Sequence, residues 1–155
     1  MPSQPSQPLL TDRAKRVIRR AREEPSRLGH PQLAAEHILV GLLADRRGMS
    51  AFVLRELGVR EGGLAHKARA ELERAGPNPL VGEDVVLGAA QRWVAELKQV
   101  SVGTEHLLLA LIGSGGAAGR WLQEAGVGEA EARATTARLF QTVRRRSGEV
   151  ERPTH

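Results

Sequence analysis

An eleven-residue phrase occurs twice in this chain, and the repeat restricts the folds that the chain can adopt. Leu33–Leu43 has the sequence LAAEHILVGLL, and Val102–Ile112 has the sequence VGTEHLLLALI, 69 residues further on. Both copies place a Glu-His pair before a run of apolar residues. A helix that is apolar on nearly all sides is a buried helix. The phrase therefore predicts one buried helix in each half of the molecule.

The order of elements around the phrase also repeats. Apolar periodicity and helix-breaking residues predict eight helices, at about 11–25, 36–44, 49–57, 61–75, 84–97, 105–112, 117–125 and 129–146. Pro25 is expected to end or kink the first of them, because proline removes a helical hydrogen bond.

Half of this chain is too short to bury much surface by itself, so the two halves are expected to pack together. The sequence predicts an all-α domain at 10–146, a pseudo-twofold double repeat of a four-helix unit. Repeat 1 covers about 10–75 and repeat 2 about 80–146. A disordered tail is predicted at 1–9 and a polar tail at 147–155.

The composition excludes several classes of protein. The chain has no Cys, which rules out disulfides, a thiol nucleophile and Cys-ligated metal sites. Aromatic residues make up only 3% and Tyr is absent, so the core must be aliphatic, as in packed helices. No apolar run approaches the roughly 20 residues of a membrane span, and the N-terminus does not resemble a secretion signal. We expect a cytoplasmic protein.

No arrangement of residues indicates an enzyme, a cofactor or a metal site. The apolar run after His37, and likewise after His106, offers no second metal ligand at the third or fourth position. Both rings are expected to pack between the repeats and to hydrogen-bond to a loop. The glycine-rich segment at 113–120 lacks the Lys-Ser/Thr ending of a nucleotide-binding loop and follows a helix.

The charge leaves two interpretations open. Lys and Arg number 23 against 18 acidic residues, which gives a net charge of +5. This excess is typical of an Arg-rich solvated surface, but it also suits an acidic partner such as nucleic acid. The basic residues are expected to be scattered along the chain, except at Arg144–Arg146, which would complement the dipole at a helix C-terminus. A basic helical nucleic-acid-binding protein is therefore the alternative function, although the scatter disfavours it.

Several segments resemble a known family. The segments LTDRAKRVIRRA, RLGH, AEHILVGLL and VLRELGV resemble the first repeat of the N-terminal domain of Clp unfoldases, especially ClpC and ClpA. VGTEHLLLALI and WLQEAGV resemble its second repeat. The resemblance covers about 10–145, which leaves no segment for an ATPase. A stand-alone domain of this type is the expectation.

The resemblance implies a non-catalytic binding module of the Clp proteolytic system. Such a module would act as an adaptor for an unfoldase, or as a decoy that competes with the unfoldase's own domain. The implied partners are a Clp unfoldase, its substrates or adaptors, arginine-phosphorylated proteins and cyclic peptide antibiotics directed at this domain. Neither a membrane nor nucleic acid is an expected partner.

The resemblance also implies a site for phosphorylated arginine. In ClpC-like members the Glu of each phrase holds the guanidinium group, and the matching residues are Glu36 and Glu105. A carboxylate offers two acceptors that match the guanidinium donors. The phosphate would bind at the first turn of the first helix, at Thr11, Asp12 and Arg13. The other interpretation of each Glu is an acid that stabilises a helix start, with Thr104 as N-cap in the second copy.

This chain departs from the family pattern at two places. Ala34 and Ala35 stand where the family usually has Gly-Thr. The second repeat begins with 80–83, LVGE, where the family has Thr-Pro-Arg-Ala followed by Lys. Glu83 and Asp84 would repel a phosphate. The sequence therefore favours the phosphate site near Thr11 over its counterpart near Leu80.

Overall fold

The fold consists of helices joined by short loops. The computed structural model describes residues 9–78 and 80–151, with 144–151 described by their helical backbone alone. The described residues form eight helices: α1 (Asp12–Leu28), α2 (Ala35–Ala44), α3 (Met49–Glu56), α4 (Glu61–Ala75), α5 (Glu83–Glu96), α6 (Thr104–Ile112), α7 (Ala117–Glu124) and α8 (Glu129–Glu151). The predicted all-α double repeat is confirmed. Most of the predicted tail at 1–9, and residues 152–155 of the other, lie outside the described residues.

Helix α1 does not end at Pro25, so the prediction that it ends there is wrong. A kink at Pro25, the other predicted outcome, stays a prediction. The helix continues to Leu28, and Pro25 itself is buried. Proline lacks the N–H that would donate to the carbonyl four residues back, and burial of the Pro25 ring offsets part of that cost. The helix ends at Gly29, whose φ of 71° is left-handed, and the N–H of His30 donates to the carbonyl of Pro25 at 2.7 Å.

Helix α8 is longer than the sequence predicts. It passes Arg146 and is helical as far as Glu151, the last described residue. The added residues SGEVE contain no proline and one glycine, so nothing in them blocks the helix. Part of the predicted polar tail is therefore helical.

Helices α2 and α6, which carry the repeated phrase, form the centre of the molecule. Their residues are buried throughout, except Ala44 at the end of α2. The two helices pack on each other, with α1 and α4 on α2, and α5 and α8 on α6. The third helix of each repeat crosses over to the other repeat: α3 packs on α6 and α8, and α7 packs on α2 and α4 while it also packs on α6 of its own repeat. This exchange gives the predicted pseudo-twofold arrangement.

Backbone hydrogen bonds join the start of each repeat to the middle of the other. The N–H of Thr11 donates to Val102 O at 2.9 Å, and the N–H of Val102 donates to Leu9 O at 2.7 Å. On the other side, the N–H of Ala35 donates to Val81 O at 2.8 Å. The start of α1 therefore lies beside the start of α6, and the start of α5 beside that of α2. We call this line of contact the seam.

None of the helices in the described part of the chain is both long enough and apolar enough to span a bilayer.

Substitution of Gly41 tests the close approach of α1 and α2. A Cβ at Gly41 would lie 2.9 Å from Val17 O and 3.3 Å from the Cβ of Ala21. We expect Gly41→Ala to lower the free energy of unfolding by about 1–3 kcal/mol, because the helices must separate. Gly63→Ala in α4 is the matched control, since no described atom lies within 4 Å of its added Cβ. That variant should gain about 0.5–1 kcal/mol. Urea unfolding measures the free energy of unfolding of both variants. Equal changes in the two would contradict the close approach of α1 and α2 at Gly41.

Candidate functional site

A cleft at the seam brings Glu105 of repeat 2 together with the start of α1 in repeat 1. Its volume is about 340 Å³. It is lined by Thr11, Lys98, Gln99, Val100, Ser101, Gly103, Glu105, His106 and Phe140. The sequence suggested a carboxylate and a helix start as two parts of one site. The structure brings them together by pairing the Glu of one repeat with the first helix of the other.

The carboxylate of Glu105 lies folded back over the start of its own helix. The residue is 7% exposed, and Oε1 lies 3.5 Å from Nδ1 of His106. Oε1 also lies against the Cα of Gly103, in the space that a Cβ there would occupy. Burial raises the pKa of the Glu105 carboxyl above its ordinary value. A desolvated carboxylate of this kind gains more from a cationic partner than an exposed one does.

The start of α1 supplies the electropositive end of the cleft. Thr11 is the N-cap, and its Oγ1 accepts a hydrogen bond from the N–H of Ala14 at 3.1 Å. The N–H groups of Asp12 and Arg13 belong to the first turn, where an α-helix provides no partner within itself. Such a helix start attracts anions.

The side chains of Asp12 and Arg13 take no part in the lining of the cleft. Asp12 is exposed, and Nη1 of Arg13 forms an ion pair with Oδ1 of Asp45 at 2.8 Å. Of the three residues predicted to hold a phosphate, only Thr11 lines the cleft. Asp12 and Arg13 could contribute only their backbone N–H groups.

Glu36 has the equivalent position in repeat 1 but different surroundings. It is 1% exposed, Oε1 accepts a hydrogen bond from the N–H of Asn78 at 3.4 Å, and Oε2 is buried without a described partner. A Cβ at Gly116, the N-cap of α7, would lie 3.8 Å from Oε1. Burial raises the pKa of Glu36, while backbone N–H groups and the charge of Arg120 act in the opposite direction. Glu36 is thus enclosed between α2, α7 and the segment around Asn78 that joins α4 to α5.

Both His rings of the repeated phrase bind the backbone at the start of their own helix. Nδ1 of His37 accepts from the N–H of Ala34 at 2.9 Å, and Nδ1 of His106 accepts from the N–H of Gly103 at 2.8 Å. The predicted hydrogen bond to a loop is confirmed. Because Nδ1 accepts, the proton of the neutral ring is on Nε2. Nε2 of His37 then donates to Nδ1 of His30 at 3.0 Å, whereas Nε2 of His106 is buried without a described partner.

Burial keeps both rings neutral. It lowers the pKa of His106 to about 4, and burial together with the charge of His30 lowers the pKa of His37 to about 4. The described residues contain no group of three His, Cys, Asp or Glu side chains that could hold a metal ion.

Thr104 is not the N-cap of α6, and that expectation is wrong. The N-cap is Gly103, whose backbone is extended, and Thr104 is the first helical residue. Oγ1 of Thr104 instead accepts a hydrogen bond from the N–H of Ser50 at 3.1 Å. Thr104 therefore caps α3 of the other repeat, across the seam.

The sequence did not reveal that the segment after α5, residues 98–101, forms one wall of the cleft. Lys98, two residues after the end of α5, has a left-handed φ of 55°, as Gly29 has after the end of α1. Aligning the repeats on their Glu-His pairs places Lys98 opposite Gly29, which was the available signal. No local pattern identified Gln99, Val100 or Phe140.

Positive charge is concentrated on α1. The helix carries seven basic residues: Arg13, Lys15, Arg16, Arg19, Arg20, Arg22 and Arg27. Some of them form ion pairs, including Arg22 with Glu83 at 2.6 Å, but most of their side chains are exposed. The prediction of scattered charge is therefore wrong for α1, and this helix favours anionic ligands.

Comparisons with known proteins agree on one family. A model of the Clp repeat (R) N-terminal domain matches residues 9–85. A probable ATP-dependent Clp protease ATP-binding subunit of Chlamydia pneumoniae is 40% identical over 114 residues, covering 66% of this chain and 13% of that protein. The negative regulator of genetic competence ClpC/MecB of Bacillus subtilis is 33% identical over 146 residues, covering 84% of this chain and 17% of that protein. This chain thus spans less than a fifth of either relative.

A solved structure shows the same fold over most of its length. The N-terminal domain of the caseinolytic protease associated chaperone ClpD from Arabidopsis thaliana aligns with a TM-score of 0.65 at 21% identity. The alignment covers 85% of this chain and 94% of that domain.

The buried rings predict a loss of stability in acid. Unfolded His binds a proton near pH 6.5, but His37 and His106 do so only near pH 4 in the folded state. Their contribution to stability is complete above pH 6.5 and is lost as the pH falls toward 4, by on the order of 3 kcal/mol per ring. Glu36 and Glu105 act in the opposite sense, because their raised pKa values make stability fall as the pH rises above 4.5.

Replacement of one ring isolates its share of this effect. In the variant His106→Asn, the amide oxygen of the new side chain can still accept a hydrogen bond from the N–H of Gly103, but this side chain does not titrate. Urea unfolding between pH 7 and 4.5 should show a smaller loss for His106→Asn than for the wild type. His66→Asn, at an exposed position on α4, controls for the substitution. Parallel curves for wild type and His106→Asn would contradict the neutral-ring assignment.

Proposed function

Because this chain belongs to the family of Clp repeat N-terminal domains, we propose that it is a non-catalytic module that captures protein ligands for a Clp proteolytic system. The curated relatives are much longer than this chain, so their ATP-dependent activity is not attributed to it. The ligand is bound in the cleft at the seam, and it is a protein that carries phosphorylated arginine.

The observation that carries this proposal is the meeting of Glu105 and the start of α1 in one cleft. Phosphoarginine combines a guanidinium group with a phosphate, so it needs an anionic and an electropositive partner side by side. Glu105 offers the carboxylate, and charge-assisted hydrogen bonds of this kind are each worth roughly 1.5–3 kcal/mol. The first turn of α1 and the ammonium group of Lys98 offer the partners for the phosphate. The cleft volume of about 340 Å³ lies within the range of small-ligand sites.

Specificity follows from the need for both contacts. Unmodified arginine lacks the phosphate that would lie at the start of α1. Phosphoserine lacks the guanidinium group, and its phosphate would meet the carboxylate of Glu105 without a cation between them. The exposed cations of α1 raise the local concentration of anionic ligands, and salt should weaken this part of the attraction.

Capture in this cleft is compatible with delivery and with competition. As an adaptor, the domain would accelerate degradation of an arginine-phosphorylated protein by a Clp unfoldase and its protease. As a decoy, it would slow the same reaction by withholding the substrate. Addition of the domain to such a reaction distinguishes the two roles by the sign of the change in rate.

Calorimetric titration of phosphoarginine tests the proposal. We expect saturable binding to the wild type and a loss of at least about tenfold in affinity for Glu105→Gln, because the amide cannot form the ion pair. Glu23→Gln, on the exposed face of α1, removes the same charge away from the cleft and should bind like the wild type. Arginine and inorganic phosphate should each bind more weakly than phosphoarginine. Equal affinities for the wild type and Glu105→Gln, both folded, would refute the site.

A further inference from the structure

The two halves of the seam are not equivalent, although the repeated phrase makes them appear so. Resting on the proposed function, we infer that the domain takes one phosphoarginine-type ligand, at Glu105, and that Glu36 is a structural anion that holds α7. The residues that decide between the two roles are the pairs that precede each glutamate, Gly103-Thr104 and Ala34-Ala35.

Gly103 permits the orientation of Glu105. The backbone at this N-cap is extended, with φ −99° and ψ 179°, so glycine is not needed there for its conformation. It is needed for space, because a Cβ at Gly103 would overlap Oε1 of Glu105 and crowd its carboxyl carbon at 2.9 Å. Glycine therefore lets the carboxylate fold over the helix start and line the cleft.

Ala34 denies the same orientation to Glu36. Its backbone is also extended, with φ −127° and ψ 171°, and its N–H likewise donates to the ring three residues further on, at His37. The two helix starts thus share their backbone and their His contact, but Ala34 has a Cβ where Gly103 has none. The carboxylate of Glu36 lies elsewhere, toward Asn78 and Gly116.

The second residue of each pair, Thr104 or Ala35, decides which polar group lies at the start of the third helix that crosses over from the other half. Thr104 caps α3, since its Oγ1 accepts from the N–H of Ser50. Ala35 has no hydroxyl for α7, and the N-cap of α7 is Gly116, which has no side chain that could cap the helix. Oε1 of Glu36 lies beside that N-cap, 3.8 Å from the position of a Cβ at Gly116. A carboxylate at this point balances the positive end of α7.

The helix start that would hold a second phosphate is also unsuitable. Helix α5 begins with Glu83 and Asp84, and its N-cap is Gly82, which has no side chain that could cap the helix. Glu83 forms an ion pair with Arg22 at 2.6 Å, which removes that cation from any ligand. The equivalent turn of α1 has one acid, Asp12, and its N-cap is Thr11. A phosphate is therefore repelled on the Glu36 side and accepted on the Glu105 side.

Titration of phosphoarginine into the full chain, combined with ¹H–¹⁵N NMR, measures the number and place of the sites. We expect a stoichiometry of one, with shifts confined to Thr11, the first turn of α1 and 98–106. Glu36→Gln should keep wild-type affinity within about threefold, whereas Glu105→Gln should lose at least tenfold. Gly103→Ala should also lose at least tenfold, because its Cβ displaces the carboxylate of Glu105.

The outcomes separate this inference from the proposed function. A stoichiometry of two that falls to one in Glu36→Gln would overturn the inference and leave the proposed function intact. Loss of binding in Glu36→Gln, with shifts around Asn78 and Gly116 on titration of the wild type, would overturn the inference and also the placement of the ligand in the Glu105 cleft. Absence of any binding to the folded wild type would refute the proposed function itself. If Gly103→Ala does not fold, the comparison of Glu36→Gln with Glu105→Gln still decides, because each exchange keeps the shape of the side chain.

Discussion

The packing of α2 on α6 is the contact on which the rest of the structure depends. Each helix is apolar on nearly all sides, so neither can be covered by the other helices of its own repeat alone. Burial of such a helix also buries its first turn, where backbone N–H groups lack partners within the helix. The ring of His37 in α2 and that of His106 in α6 accept the N–H that precedes the helix, and both rings are neutral because they are buried. In the repeated Glu-His phrase, the His therefore binds the backbone N–H at the buried helix start, and the Glu lies at the seam.

Much of the fold could be predicted from the sequence because the signals were local or repeated. Periodic apolar residues and glycine breaks placed the eight helices, and the repeated phrase indicated the twofold arrangement. Pro25 gave the wrong helix end because burial of its ring offsets part of the cost of the missing hydrogen bond, and the local sequence pattern does not show that burial. The crossing of α3 and α7 between repeats was not predictable from these signals, since no local pattern specifies which half a short amphipathic helix will cover.

The candidate site was predictable only in part, for a related physical reason. Resemblance identified Glu105 and Thr11, and the structure places both in one cleft. It also identified Glu36, Asp12 and Arg13, whose side chains lie elsewhere. The position of a side chain at the seam depends on atoms from the other repeat, such as Asn78 beside Glu36 and Asp45 beside Arg13. Lys98 and Phe140 line the cleft for the same reason, because the packing of whole helices brings them there.

A duplicated unit that folds as one domain constrains its two halves differently in the core and at the seam. The apolar residues of α2 and α6 must remain apolar in both copies, because each half of the core is covered by the other. A ligand needs only one cleft, so the polar residues at the two helix starts are free to diverge. A buried carboxylate is costly wherever it lies, and it persists only where a ligand, a hydrogen bond or a helix start compensates for its desolvation. Glu36 has the N–H of Asn78 and the start of α7 for this purpose. Glu105 has only its own helix start and an open cleft, and for that reason we propose Glu105, and not Glu36, as the carboxylate that binds a cation.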